Sequence, residues 1–595
     1  MDTNINERIE ALRAAMNRNG ISATIIPQTD PHQSEYIADH WQVRRWLSGF
    51  TGSAGTLVVT TGAALLWTDS RYFIQAASQL DGTGIILMKD GLPDTPSIEQ
   101  YLSASLSHGD TVGIDGMLFS VSETARLRTT LSSHGINIDD TFSPIDGIWG
   151  DRPSLPDGKI IIHDIRYAGE SCTGKIAKIL GNVAGESAYS TFISALDEIA
   201  WALNIRARDV ECNPVVTAFL YISPKGSTLF IDSAKVDNKS KAYLAGNNIS
   251  VAPYSSIKDF LASLPETERV LIEPAHTAWT ISQILGRRML PGQSPVAMLK
   301  GCKNDIQIQG TREAMQRDGV ALVKTFMEIE RMLRDGEKLT EMGVARLATH
   351  FRSEQPLYFD DSFGTIAGYK DHGAIVHYSA TGETDSVLHP DGLLLVDSGA
   401  QYLDGTTDIT RTVTLGNPTP QERRDFTLVM KGHIALGTMI FPAGTRGAQL
   451  DAIARQFLWK EGLSYLHGTG HGVGHFLNVH EGPQSIRLNE NPTPLTPGMI
   501  TSNEPGLYRE GLHGIRCENL VLTVPAFTTG FGEFLKFETL TLFPFDLNLF
   551  DTSIMTDDEI QWVNSYHTTV RDRLSPLLDS TERLWLEEKT RPLTR

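Results

Sequence analysis

At 595 residues the chain is too long for a single hydrophobic core, and its length alone implies about three or four domains. Hydrophobic residues make up 41% and charged residues 21%, the composition of an ordinary soluble globular protein. A formal charge of -19 opposes binding to nucleic acid or to an anionic membrane, both of which need a basic surface.

The first residues, MDTNINERIE, are polar and acidic where a signal peptide is basic and then apolar. No run reaches the roughly eighteen apolar residues that would span a bilayer, so the expected location is the cytoplasm. Cys172, Cys212, Cys302 and Cys517 are too few and too scattered for a disulfide framework or a paired-cysteine zinc site, and read as reduced thiols.

Residues 1–155 read as a first α/β domain. Ile9, Leu12 and Met16 recur at helical spacing over 6–19, and the strand-like ATIIP follows. Strands at 56–60, 64–68 and 85–88 and helices near 97–106 and 121–133 complete it. PIDGIWGDRPSLPDG, dense in Pro, Gly and Asp, marks its end. Residues 156–303 replay the order: a helix near 171–183, the strand-like AYSTFI, then DEIAWALNIR, and STLFIDSAKV where the first domain has ALLWTDSRYF. This is either a duplicated α/β domain or a coincidence between two ordinary ones.

The third domain, 304–595, opens with a long helix whose stripe of Ala314, Val320, Leu322, Val323, Phe326, Ile329 and Leu333 ends at Gly336. It carries five potential metal ligands: Asp397 in LLLVDSGAQY, Asp408 in GTTDITRT, His471 in HGTGHGVG, Glu504 in TSNEPGLY and Glu518 in GIRCENLVL. Singly, an Asp ending an apolar strand or a Glu before proline is usually a turn or cap. Together, four carboxylates and an imidazole can hold two divalent cations if two carboxylates bridge. The oxygen-rich set favours manganese over structural zinc, which prefers thiolates and imidazoles. These ligands lie largely on strands bounded by Gly and Pro, so an antiparallel sheet covered by helices is expected.

Three local readings need geometry. Asp404-Gly405 signals a two-residue hairpin that would pair Asp408 with Gln401. Asp397 would then lie four positions away, about 13 Å, too far for carboxylates sharing metals about 3.5 to 4 Å apart. A bulge or shifted turn that sets Asp397 opposite Asp408 is therefore predicted.

His467, His471 and His475 are spaced like zinc ligands on one helical face, but the glycines between them oppose a helix, and an extended segment would also put all three on one side. The same run lacks the Gly-Lys-Ser/Thr ending of a phosphate loop. Arg516 and Glu518 share one face of IRCENLVL, with Ile515 and Cys517 on the other. Arg516 could there orient a ligating carboxylate.

LLLVDSGAQYLDGTTDITRT, LHGTGHGVGHFLNVHEGP and GIRCENLVL resemble the three-domain form of aminopeptidase P, and so do DPHQSEYIA, RRWLSGFTGSAGT, WTDSRYF, ALDEIAWALNIR and WVNSYH, over nearly the whole chain. The resemblance implies two related α/β domains before a catalytic domain of the pita-bread fold, which favours the duplication. It implies a metal-dependent exopeptidase that hydrolyses the N-terminal Xaa-Pro bond with a hydroxide bridging two divalent metals. The cofactors would be two Mn²⁺ per subunit, with Zn²⁺ or Co²⁺ as alternatives, and the assembly a homodimer.

By resemblance Asp397, Asp408, His471, Glu504 and Glu518 ligate metal, and Glu504 also accepts a proton. His377 and His480 contact the scissile amide, His467 borders the site, Arg516 contributes to substrate binding, and His475 has no role. Competing readings are a prolidase acting on Xaa-Pro dipeptides, a methionine aminopeptidase, which is generally much shorter, and a metal-free pita-bread binding module, which would have lost ligands. The apolar segment from about 547, with Trp562, Tyr566, Leu577, Leu578, Trp585 and Leu586, is either internal core or a subunit interface.

Overall fold

The computed structural model describes residues 4–595. The chain forms two compact units, one of Met1–His163 with Glu170–Val296 and the other of Asp164–Gly169 with Ala297–Arg595.

The first unit holds two six-stranded sheets of one topology. In the first the order is Ile86–Lys89, Ala64–Thr68, Thr56–Thr60, Ala23–Ile26, Thr111–Gly113, Asn137–Asp139. In the second it is Ile249–Ala252, Gly226–Phe230, Phe219–Ser223, Ser190–Ile193, Val270–Ile272, Met289–Pro291. Matching positions also match in direction, antiparallel from Ala23–Ile26 to Thr56–Thr60 as from Ser190–Ile193 to Phe219–Ser223, and parallel to the strand on the other side. The segments aligned in the sequence, ALLWT and STLF, occupy the same place in each sheet. The helix Asn4–Arg18 buries Ile9, Leu12 and Met16 against the first sheet. The lobes are pinned by His32, whose ring reaches the Ser194 carbonyl at 2.9 Å and the Tyr254 hydroxyl at 3.0 Å.

In the second unit every strand pairing is antiparallel. A three-stranded sheet (Ile366–Tyr369, Leu393–Ser398, Ile409–Thr414) and a six-stranded sheet ending in Asn519–Thr529, Ile500–Asn503, Gly470–Gly472 and Glu481–Ile486 carry the site. The helices Asp305–Arg334 and Pro420–Gly437 each start from a capping box, at Asn304 and Thr419. Their apolar faces join the LLLV run of Leu393–Ser398 in the main core. The segment beyond 547 is core as well. Leu549, Phe550, Val563, Tyr566, Leu578 and Leu586 are buried in the same cluster, with Trp562 and Trp585 packed against it.

The predicted correction at Asp404-Gly405 takes a particular form. Tyr402 pairs with Gly405 and Gln401 with Thr406, so Leu403 and Asp404 make the turn, one residue earlier than the Asp-Gly signal places it. Ser398 pairs with Ile409 and Asp397 with Thr410. Asp397 is therefore not opposite Asp408, and no bulge is needed. Asp408 lies two residues before Thr410, a diagonal neighbour on the same face, and such neighbours are within side-chain reach. Gly399 allows the approach, since a Cβ there would stand 2.0 Å from the Thr407 carbonyl.

Two buried histidines of this unit make it acid-sensitive. His433 Nδ1 donates to the Cys517 carbonyl, and His567 Nε2 accepts from the Phe545 amide. Burial, aided by the Arg411 charge, lowers both to about 3. Below their ordinary value of about 6.5 the unfolded chain takes up protons that the folded chain refuses, so stability falls as pH drops. Between pH 7.5 and pH 5 each should remove about 2 kcal/mol. Urea unfolding of wild type and His567→Gln at the two pH values should isolate this, the acid-induced loss being smaller in the variant by about 2 kcal/mol.

Candidate active site

The five acidic and imidazole groups come together from five separate stretches of chain. Asp397 sits where Leu393–Ser398 leaves the core. Asp408 precedes Ile409–Thr414. His471 is the centre of the strand Gly470–Gly472. Its glycine neighbours are required by packing, because a Cβ at Gly470 or Gly472 would lie 2.0 Å from the Ser502 carbonyl or 2.1 Å from that of Glu481. Glu504 follows Ile500–Asn503 and anchors its amide on the Thr469 carbonyl at 2.8 Å. Glu518 links His513–Arg516 to Asn519–Thr529, its amide donating to the Thr410 carbonyl at 3.1 Å.

His471 Nε2 lies 3.4 Å from Asp408 Oδ2 and 3.6 Å from Glu504 Oε1. One ligand atom from each of Asp408, His471 and Glu518 falls within 4.8 Å of the other two. Burial pushes the carboxyls of Asp397, Glu504 and Glu518 up, and for Glu518 the charges of Asp408, Glu504 and Asp397 push further. Burial alone would lower His471, but Asp408 and Glu504 outweigh it and hold the imidazole at about 9. Four carboxylates thus face one guanidinium and one imidazole in a largely buried site. Asp397 Oδ1 and Glu518 Oε1 are buried with no protein donor. That residual charge and those two oxygens fit divalent cations, and the oxygen-rich set suits hard ones.

A surrounding layer aims these groups. His471 Nδ1 donates to the Gly472 carbonyl at 2.9 Å, which leaves Nε2 for a cation. Arg516 Nη2 donates to Asp397 Oδ2 at 2.6 Å and its Nε to Thr410 Oγ1 at 3.1 Å. Thr410 Oγ1 donates to Glu518 Oε2 at 3.0 Å, and Ser502 Oγ to Glu504 Oε1 at 3.2 Å. The Tyr508 hydroxyl accepts from Arg516 Nη1 at 2.8 Å and donates to His467 Nε2 at 2.8 Å. Its pKa is pushed up to about 12 by burial. Thr410, Ser502 and Tyr508 were not singled out in the sequence. Thr410 had a signal, since Asp408, Thr410 and Thr412 alternate toward one face, whereas Tyr508 is joined to the site through Arg516 and His467, which only the fold brings to it.

His467 thus lies beside Tyr508 and Arg516. His480 packs edge-on against His471, ring centroids 4.4 Å apart. The next residue, Glu481, is buried in ion pairs with Lys300 at 2.9 Å and with Lys303. His377 is half-buried in the turn after Lys370–Ala374, a 3₁₀ segment packed against the strands that carry Asp397 and Arg516. The common side expected for His467, His471 and His475 is not found, because only His471 is on a strand. His475 is buried instead beside Thr311 of the long helix, with Nε2 3.2 Å from the Tyr167 carbonyl.

Residues 309–525 match the metallopeptidase family M24 and residues 533–593 the C-terminal region of that peptidase. Residues 8–148 and 151–307 each match a creatinase/prolidase N-terminal domain. Fold and site together define a metallopeptidase with two creatinase-like N-terminal domains and a pita-bread catalytic domain. An aminopeptidase P2 of Arabidopsis thaliana is 41% identical over 99% of this chain and 89% of its own. The crystal structure of an X-prolyl aminopeptidase from Caenorhabditis elegans, described as a cytosolic enzyme with a di-nuclear active site, superposes with a TM-score of 0.96 at 35% identity, covering 99% of this chain and 100% of that one. A prolidase from Pyrococcus horikoshii, 21% identical with a TM-score of 0.50, matches 62% of this chain and 99% of its own, and shares the fold. The chain belongs to the aminopeptidase P family of M24 metallopeptidases, and the resemblance read from its motifs is borne out.

Proposed function

We propose that the protein removes the N-terminal residue from peptides whose second residue is proline. The observation that carries this is the buried cluster of Asp397, Asp408, His471, Glu504 and Glu518, complete within a chain that matches the aminopeptidase over both lengths. Those five residues would hold two divalent cations, Mn²⁺ as first choice. Bound there, the cations supply a water nucleophile at neutral pH and charge stabilisation for the oxyanion.

The chain's own groups do the rest. Water oxygen adds to the carbonyl carbon of the first residue, the bond to the proline nitrogen breaks, and a proton taken by Glu504 passes to that nitrogen. Ser502 holds one oxygen of Glu504 and leaves the other to carry the proton. His480, steadied against His471 and followed by the buried Glu481, and His377 contact the scissile amide. The Arg516–Tyr508–His467 chain fixes the wall beside Asp397 and borders the substrate. A dedicated site is needed because an Xaa-Pro bond has no N–H to donate and a fixed φ. Location in the cytoplasm and assembly as a homodimer complete the reading. Among the described residues no helix is long and apolar enough to cross a membrane.

Metal-stripped protein should release arginine from Arg-Pro-Pro when Mn²⁺ is added back and leave Gly-Pro nearly untouched. Preference for Gly-Pro would make the protein a prolidase. Cleavage of neither, with Mn²⁺, Zn²⁺ or Co²⁺, would revive the binding module.

A further inference from the structure

We propose that Glu341 is a positioning residue whose carboxylate clamps the segment carrying His377 in register with the active site. The inference rests on the role given to His377 above. Glu341 is the first residue of the helix Glu341–Ser353, 0% exposed, and is not part of the metal cluster.

The chain leaves the three-stranded sheet at Tyr369, the last residue of Ile366–Tyr369, and regains a partner only at Val387, which bridges Thr340. Between them lie one 3₁₀ segment and turns, with no strand to fix their course. Residues from both ends and the middle of this excursion converge on one side chain. Glu341 Oε1 accepts from the Tyr369 amide at 2.8 Å and from His372 Nδ1 at 2.8 Å. Glu341 Oε2 accepts from the Tyr378 hydroxyl at 2.9 Å and from the Ser386 amide at 2.9 Å. The Glu341 amide donates in turn to the Ser386 carbonyl at 3.1 Å. Tyr378, adjacent to His377, is buried and stacks on His372 with ring centroids 4.5 Å apart.

A carboxylate is the group this arrangement needs. Four donors share two acceptor oxygens, and the amide of Gln would turn one acceptor into a donor facing other donors. The helix N-terminus favours the negative charge, and His372, raised chiefly by its bond to Glu341, balances it. Released from Glu341, Tyr378 and Ser386 lose their common anchor, and the segment carrying His377 loses the side chain that joins its two ends.

The test is a double-mutant cycle read as kcat/KM on Arg-Pro-Pro with metal content measured in parallel. Glu341→Gln should lower kcat/KM by about 10- to 100-fold, the range for residues that orient a functional group through one intermediary, with metal stoichiometry unchanged. In a His377→Ala background the same substitution should cost little more, because the residue it positions is gone. Tyr378→Phe removes a single donor and should cost about fivefold, the equivalent of one hydrogen bond, again only when His377 is present. It carries the test if Glu341→Gln fails to fold. Full multiplication of either loss with that of His377→Ala, or wild-type activity in Tyr378→Phe, would overturn the clamp. Wild-type activity in His377→Ala would overturn the role of His377 itself, and the purpose of the clamp with it.

Discussion

Glu518→Gln is expected to lower kcat/KM for Arg-Pro-Pro by about 10²- to 10³-fold and to drop bound metal below two per chain, while raising the thermal midpoint of the metal-free protein. The activity loss follows from removing one charged group from a preorganised electrostatic site. The opposite sign for stability follows from the surroundings. Glu518 is 1% exposed, its carboxyl is pushed up by burial and by Asp408, Glu504 and Asp397, and only Thr410 donates to it from the side. Without cations the group opposes folding, and a neutral amide of the same shape relieves the repulsion. Activity assays, elemental analysis and calorimetry after chelation check the three parts. A thermal midpoint that falls in the metal-free variant would show that the carboxylates are not a cation site held against their own repulsion.

Arg411→Met should destabilise the protein by about 3–5 kcal/mol, the cost of breaking a buried charged network, with a smaller fall in activity. Arg411 is 2% exposed, and its neighbours are acceptors with no carboxylate bonded to it. Nε donates to the Pro544 carbonyl at 3.1 Å, Nη1 to the carbonyls of Thr410 at 3.0 Å and Glu518 at 2.5 Å, and Nη2 to Asn519 Oδ1, the Phe543 carbonyl and the Tyr566 hydroxyl at 2.8, 2.6 and 2.9 Å. The guanidinium lies 3.9 Å from the centre of the Phe545 ring.

One side chain thus ties the strand after Asp408, the backbone of Glu518 and the C-terminal segment together. Deleting it strands several buried carbonyls. Lysine should not rescue the loss, since one ammonium cannot fork toward six acceptors. Urea unfolding measures the change, and a loss under about 1 kcal/mol would contradict it. The variant should also be less acid-sensitive, because the Arg411 charge that helps hold His433 and His567 neutral is gone.

Much of the organisation was legible because its signals are local. The duplicated lobes showed in strand-like runs ending in Asp-Ser, and the long helix in its apolar stripe and in Gly336, whose φ is 74°. The candidate cation cluster was visible as five acidic and imidazole residues in distinctive surroundings. The glycines beside His471 were read correctly as opposing a helix, although their positive reason, room for the Ser502 and Glu481 carbonyls, is a tertiary fact.

The rest was decided by contacts across long stretches of chain. The Asp404-Gly405 signal is a local preference, and the ladder running from Tyr402↔Gly405 to Leu393↔Thr414 overrides it, because a turn there would shift every pair by two residues and move Asp397 from Thr410 to Thr412, away from Asp408. Arg516 reaches Asp397 across 119 residues, Arg411 reaches Tyr566 across 155, and Glu341 reaches Ser386 across 45. A sequence names such donors and acceptors but not their partners. By itself it determined which residues could ligate, cap and pack. Only the tertiary structure decided which charges are shared and which loops are held, because those energies depend on distance and burial, and periodicity encodes neither.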